Sequence, residues 1–287
     1  MAKELAAETG HPGQPDSKGK GRRKFWTIVM VVSLVVFVAV AGFLAVSWMS
    51  YLNDSNRYQE IADSAFSEEA DDLASMTVDW DALRAINPEV VAWVYIPDTA
   101  INYPVCWSGD NDKYLTANFD GESGIFTGSG TIFLDMNNRP DLTDQNTAMY
   151  GHHMNDGSMF ACLSDFADAG TFEAHRTVYL MTPTTNYQFR TFSLVLTDGS
   201  DTLVVPNFAT PKEMIDYVAD KEARSVVTPA DGFVDPKDVE KLITLSTCDY
   251  TKYDGRAILF GALEGQAVPK NAPEPSESSV SSSADGQ

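Results

Sequence analysis

The sequence predicts a mainly β fold, a closed or nearly closed barrel with short helical insertions, preceded by one transmembrane helix. Three observations carry this. Eight separate runs rich in β-branched and aromatic residues are spaced along residues 90–263, a count that suits a barrel or sandwich. The helical stretches between them are few and short. One run, FWTIVMVVSLVVFVAVAGFLAVSWM at 25–49, continues for 25 residues without a charge. At ~1.5 Å per residue such a helix covers a hydrocarbon core of ~30 Å.

Composition agrees with one folded domain of ordinary size. Of 287 residues, 44% are hydrophobic and 21% charged, with 19 Gly and 14 Pro, which fits neither a disordered nor a collagen-like chain. Three cysteines are too few for a disulfide-dense scaffold. The chain has 41 Asp plus Glu against 20 Lys plus Arg, a formal charge of −21, which makes nucleic acid a poor partner and suits a soluble exported surface.

The element order begins with residues 1–24, a short basic tail expected to be disordered. Six basic and 3 acidic residues precede the apolar run, and 14 basic and 38 acidic residues follow it. Lys18, Lys20, Arg22, Arg23 and Lys24 lie directly before it, which orients a signal anchor with its N-terminus in the cytoplasm and the acidic bulk outside. Trp26 and Trp48 lie near its ends, as interfacial rings do. The alternative is a cleaved secretory signal, for which Ala45-Val46-Ser47 offers small residues two apart. Either way the remainder is exported.

Residues 50–77 are polar, with Tyr58, Ile61, Ala65, Phe66 and Leu73 scattered among them, and are read as an extracellular helical stalk lying on the domain or on the membrane surface. A folded domain follows at 78–264. It opens on a short helix that ends before Pro88, and the β runs then fall at 90–96, 101–105, 131–135, 146–151, 177–182, 187–197, 241–247 and 256–263. Helices are expected around 112–118, at 158–166 and at 211–224, the last with Thr210 as N-cap and Pro211 in its first turn. Residues 265–287, ending PEPSESSVSSSADGQ, carry almost no large apolar side chain and read as a disordered tail.

Three side chains at strand ends suit catalysis. Cys248 follows LITLST, His152 follows NTAMYG, and Arg256 opens the last strand. A thiolate is a strong nucleophile, and a neighbouring imidazolium or guanidinium lowers a thiol pKa. A His returns a proton to a leaving amine, and an Arg fork stabilises an oxyanion. Spacing alone leaves a buried, inert Cys248 as the competing reading, and an ion pair with Asp249 or Asp254 as the competing reading of Arg256. His153 adjoins His152, and alternation along a strand would send the two to opposite sides. His175 reads as a solvated surface residue. Ser246, two before Cys248, is a pocket-lining and substrate-binding candidate. Cys106 and Cys162 read as two buried thiols, since nothing places them within disulfide reach. No His-x-x-x-His or Cys-x-x-Cys pattern occurs, so no metal or other cofactor is expected.

The segments GTIFLDMNN, NTAMYGHHMNDGSMF and LITLSTCDY followed by GRAILFG resemble, in this order, the sortase family of Gram-positive cysteine transpeptidases, and class B in particular. The likeness runs from about Val78 to Leu263 and takes in VDWDALRAINPEVVAWVYIP and DNDKYLTANFD. It implies an eight-stranded barrel, with PNFATPKEMIDYVADKEARSVV supplying the class B helix between the sixth and seventh strands. It also implies His152 as general acid/base, Cys248 as nucleophile and Arg256 as the oxyanion or substrate-positioning group. The implied activity is cleavage of a C-terminal sorting signal on exported proteins and transfer of the new carboxyl end to an amine, from a peptidoglycan precursor or a pilin lysine, at the outer face of the cell membrane. Two alternatives stand beside it. An L,D-transpeptidase would set its Cys in Gly-Cys-x-Arg, whereas Thr-Cys-Asp-Tyr surrounds Cys248. A non-catalytic adhesion domain would make Cys248 and His152 incidental.

Overall fold

The computed structural model describes residues 18–68, 72–121, 129–199, 205–249 and 255–273, with backbone alone at 18–21, 47, 50–55, 68, 248 and 249. Two units are distinguished, Met1–Met49 and Ser50–Gln287. In the first, helix α1 (Lys18–Ala65) carries the 25-residue stretch Arg22–Val46, whose most apolar 18-residue window has a mean hydropathy of 3.0. That is long and apolar enough to cross a membrane.

The second unit begins with the last turns of α1. Tyr58, Ile61, Ala62 and Ala65 are buried there in the main core, at the three-to-four-residue spacing of one helical face. The Tyr58 hydroxyl donates to the Gly130 carbonyl at 2.6 Å and accepts from the Phe119 amide at 3.0 Å. Of the two expected placements of the stalk, the one against the domain is found, and the region is helical only as far as Ala65. Strands β1 (Phe66–Glu68) and β2 (Met76–Val78) follow it and pair antiparallel, with a 3-10 turn at Leu73–Ser75 between them. Helix α2 (Trp80–Ile86) starts where the Asp79 carboxylate accepts the Ala82 amide at 2.9 Å, satisfying one of the unpaired donors of its first turn.

Eight strands then close a barrel: β3 (Val90–Tyr95), β4 (Asn102–Cys106), β5 (Ile132–Leu134), β6 (Asn146–Tyr150), β7 (Thr177–Met181), β8 (Asn186–Asp198), β9 (Leu242–Asp249) and β10 (Gly255–Ala267). Their order around the wall is β10-β8-β7-β3-β4-β5-β6-β9. Each falls on one of the eight β runs of the sequence. The β4–β5 and β6–β9 pairs are parallel and the others antiparallel. Closure leaves the wall no free edge.

The connections carry the short helices. Helix α3 (Lys113–Thr116) precedes β5. The helix expected at 158–166 is a 3-10 segment, Ala161–Ala167, followed by α4 (Ala169–Ala174). The Asp168 carboxylate accepts the Thr171 amide at 2.9 Å, and this cap starts a second helix where the sequence pattern suggested an end. Helix α5 (Pro211–Ala223) matches its expected bounds within a residue, and Thr210 caps it through the Glu213 amide.

Two-residue alternation divides the strands between two cores. Ile243, Leu245 and Leu259 belong to the main cluster, whereas Leu242, Ile258, Phe260 and Ala262 form a second one with Met214 and Val218 of α5. Helix α5 thus covers part of the outer face of β9 and β10. Each such buried side chain contributes roughly 1.5–3 kcal/mol.

The ordered chain also outlasts its expected end at residue 264. Strand β10 pairs with β8 as far as Ala267. Beyond it the Lys270 ammonium donates to Ser75 Oγ at 2.7 Å, and Asn271 Nδ2 donates to the Val78 carbonyl at 3.0 Å. These polar groups find partners in the β1–β2 region, which low apolar content does not reveal. The rest of the expected tail, 274–287, and residues 1–17 lie outside the described residues.

Candidate active site

Strand β6 delivers its last residues to an open cleft. The Gly151 amide donates to the Ser246 carbonyl at 3.1 Å, extending the parallel β6–β9 pairing one step beyond Tyr150. A side chain is excluded here, because a Cβ on Gly151 would overlap Ile132 Cδ1 and sit 2.7 Å from Phe160 Cγ. The close packing turns the chain so that His152 follows at the cleft.

His152 is fixed from two sides. Its Nε2 lies 2.6 Å from the carbonyl oxygen of Leu115 in α3, and a carbonyl only accepts, so Nε2 carries a hydrogen in this contact. On the other side Gly130 has φ +57°, and a Cβ there would lie 2.6 Å from the Tyr114 carbonyl and 3.0 Å from His152 Cδ2. The neighbouring His153 pairs with Met159 in an isolated β-bridge, with Nδ1 3.3 Å from Ser164 Oγ, and does not line the cleft. His175 is half-buried, not solvated: its Nδ1 donates to the Pro97 carbonyl at 3.1 Å and its ring lies against Phe166.

Strand β9 lies between β6 and β10, and its register brings the remaining candidates together. Ser246 is opposite Tyr150 on one side and Ile258 on the other, and Cys248 is opposite Arg256. Positions 246 and 248 of β9 and 256 of β10 share the outer face that α5 covers further along the same strands. The backbone therefore sets Cys248 directly across from Arg256. The Cys248 side chain lies outside the described residues, as do the side chain of Asp249 and all of Asp254.

The cleft holds about 220 Å³. Tyr150, His152, Ser246, Thr247 and Arg256 form its strand side, and Asn111 and Leu115 its loop side. Ser246 and Thr247 are each only 2% exposed, yet neither hydroxyl has a hydrogen-bond partner among the described residues. A buried hydroxyl left unpaired costs about 1–3 kcal/mol, and a ligand in the cleft would repay that. Arg256 is half-buried, with Nη1 donating to the Gly255 carbonyl at 2.9 Å. Burial and the Asp135 carboxylate hold the Tyr150 phenol well above its ordinary pKa, while Arg256 pulls it the other way. Tyr150 is thus a protonated group within electrostatic reach of the guanidinium.

Sequence reasoning missed Asn111, Leu115 and Tyr150. Tyr150 was accessible by alternation, two positions before His152. Asn111 and Leu115 lie in a loop and a four-residue helix with no periodicity to place them.

The two other cysteines are free thiols, Cys106 buried as expected and Cys162 only half-buried. Burial pushes Cys106 well above the ordinary thiol range and Cys162 up to about 11. Among the described residues no cluster of three or more His, Cys, Asp or Glu is arranged to hold a metal.

Comparison with known proteins settles the family. The Sortase domain model matches residues 94–264, more than half of the chain. Sortase B of Listeria monocytogenes is 34% identical over 239 residues, covering 80% of this chain and 95% of that protein. The chain belongs to the sortase family, class B. Sortase B of Staphylococcus aureus is 27% identical over 246 residues, 84% of this chain and 97% of that protein. Among solved structures, sortase B from Bacillus anthracis in complex with AAEK1 superposes with a TM-score of 0.62 at 31% identity, over 75% of this chain and 98% of that one. A Staphylococcus aureus sortase B–substrate complex gives 0.58 at 28% identity, over 64% and 84%. The sortase is therefore an enzyme, a cysteine transpeptidase on an eight-stranded barrel.

Proposed function

We propose that this class B sortase is anchored in the membrane by α1, with its barrel outside the cell. There it cleaves a C-terminal sorting signal on exported proteins and joins the new carboxyl end to an amine of a peptidoglycan precursor. The observation that carries this reading is the convergence of His152, Ser246 and Arg256 on one cleft, with Cys248 in register with Arg256 across β9 and β10. The charge-free stretch of α1 and the basic residues before it support the anchoring and its orientation. A substrate complex and a triglycine complex among its structural relatives support a peptide donor and an amine acceptor.

The reaction begins with the Cys248 thiolate attacking the scissile carbonyl carbon. Arg256 stabilises the oxyanion that forms. The C–N bond breaks, His152 gives its proton to the departing amine, and a thioester to Cys248 remains. The acceptor amine then attacks the thioester, His152 takes its proton, and the thiolate leaves. His152 Nε2 is committed to the Leu115 carbonyl, which leaves Nδ1 as the nitrogen that exchanges the proton. Ser246, whose hydroxyl has no partner among the described residues, holds the peptide backbone beside the thioester.

The test is transfer itself. A randomised fluorogenic pentapeptide pool is incubated with the enzyme and triglycine, and products are read by mass spectrometry. A triglycine adduct of selected peptides, lost in Cys248→Ala and in His152→Ala, is the expected result. Hydrolysis alone, or transfer that survives Cys248→Ala, defeats the reading. Lysine-bearing pilin peptides that outcompete triglycine would replace the peptidoglycan acceptor with a pilin one.

A further inference from the structure

Behind the cleft, outside the reacting set, lies a carboxylate. Asp135 directly follows β5, is 2% exposed, and accepts four hydrogen bonds. Its Oδ1 takes the Asn137 amide at 2.8 Å and Asn137 Nδ2 at 2.9 Å. Its Oδ2 takes Asn111 Nδ2 at 3.0 Å and the Tyr150 hydroxyl at 2.9 Å. No Lys or Arg among the described residues forms an ion pair with it.

Burying an unneutralised carboxylate is costly, and its own turn does not require one. Oδ1 closes a local Asx-turn that a neutral Asn or Ser also closes. Only Oδ2 reaches other elements: the loop before α3, through Asn111, and strand β6, through Tyr150. Both of those side chains line the cleft. Because a carboxylate only accepts, it fixes their polarity as well as their place. Tyr150 must turn its O–H backward, which leaves the phenol oxygen an acceptor on the cleft side. Asn111 is pinned at both ends, its Oδ1 accepting the Met136 amide at 2.8 Å and its Nδ2 donating to Asp135.

Resting on the reading of this cleft as the peptide site, we propose that Asp135 is a positioning residue for substrate. It acts through Asn111 and Tyr150 to set the donor and acceptor pattern of one cleft wall, and does not act on the thiol. A structural role alone would lower thermal stability and leave peptide affinity untouched.

The test uses the full chain in detergent, triglycine, and the pentapeptide that the wild type cleaves fastest from the randomised pool. In Asp135→Asn the remaining oxygen stays with the Asn137 donors, so an NH₂ faces Asn111 Nδ2, donor against donor. The expected result is a KM raised about tenfold with kcat within about twofold. Labelling of Cys248 by a methanethiosulfonate should proceed at the wild-type rate. In an Asn111→Ala, Tyr150→Phe background, Asp135→Asn should raise KM no further. If Asp135→Asn does not fold, Asp135→Ser, which keeps an acceptor for the Asn137 amide and removes the shared Oδ2, carries the same readouts. An unchanged KM, a fall in kcat matched by slower labelling, or a further tenfold rise in the doubly substituted background would overturn the assignment. Failure of the wild type to label at Cys248 or to transfer would instead remove the functional reading, and Asp135's role with it.

Discussion

The Nε2 atom of His152 and the carbonyl oxygen of Leu115 lie 2.6 Å apart, and in the proposed mechanism this contact leaves Nδ1 as the nitrogen that exchanges the proton. The imidazole is held at one end by α3 and along its edge by Gly130, so its position depends on a loop far from it in sequence.

Substituting Gly130 should therefore reach the site without touching the reacting groups. Gly130→Ala places a β-carbon against the Tyr114 carbonyl and the His152 ring at φ +57°. A loss of about 1–3 kcal/mol is expected from the backbone conformation, together with at least a tenfold fall in kcat/KM from displacement of the ring. Thermal melts and steady-state transfer measure both. Wild-type kcat in a destabilised Gly130→Ala would show that His152 is not held from this side.

Arg256 supplies a planar fork opposite Cys248 in register. Arg256→Lys keeps the charge but loses the paired donors, and should lower kcat/KM by roughly 10²–10³ with an unchanged melting temperature. Full activity in the lysine variant would remove the oxyanion role.

The three cysteines should separate by reactivity. Cys106 is buried and Cys162 has its thiol pushed up to about 11 by burial, so neither forms much thiolate near neutrality. Alkylation of the native enzyme at pH 7.5 should stop at one label per chain, mapped by peptide mass spectrometry to Cys248, and reach three in denaturant. Early modification of Cys106 or Cys162 would contradict this burial.

The same shift makes alkaline stability predictable. The folded pKa of Cys162 is raised above its ordinary value of 9.0 to about 11. Its contribution is therefore fully present below about pH 9 and is lost as pH rises toward 11, where the unfolded chain has already released the proton. The melting temperature should be flat between pH 7 and 8.5 and decline from 9 to 11, less steeply in Cys162→Ala. An identical decline in that variant would assign the effect to other groups, Tyr103 among them, whose phenol is raised to about 12.

Tyr58 joins α1 to the loop beneath His152. Tyr58→Phe removes the donor to the Gly130 carbonyl and the acceptor for the Phe119 amide. It should cost roughly 1–3 kcal/mol for the buried groups left unpaired, a drop of several degrees by calorimetry. An unchanged melting temperature would mean these bonds are replaced by water.

The barrel was legible in the sequence because each strand carries its own run of β-branched and aromatic residues, and all eight runs are strands. Ser246 was legible beside Cys248 through two-residue alternation, and Arg256 joined them through the family motifs, whereas the register that sets Cys248 across from Arg256 came from the structure. Asn111 and Asp135 were not. Their placement depends on side-chain hydrogen bonds between a loop and two strands, and no periodicity encodes those. The surface that the end of α1 meets was left open for a related reason: the narrow apolar stripe of Tyr58, Ile61 and Ala65 suits the domain or the membrane equally, and the partners it meets lie far along the chain. The C-terminal boundary failed because Lys270 and Asn271 are held by polar contacts, which composition does not register.

The burial of those last turns of α1 bears on how the enzyme is made without its apolar run. A fragment opened at Val78, where the sequence reading opens the folded domain, would leave Tyr103 without the ring of Tyr58 stacked edge-on at 5.6 Å and would strip Asp120 of its partner Arg57. A fragment opened at Ser50 keeps both. Recombinant versions that begin downstream of the helix should express as insoluble or sluggish material, and the cure is the 28 residues 50–77 at the front, not a different host or tag.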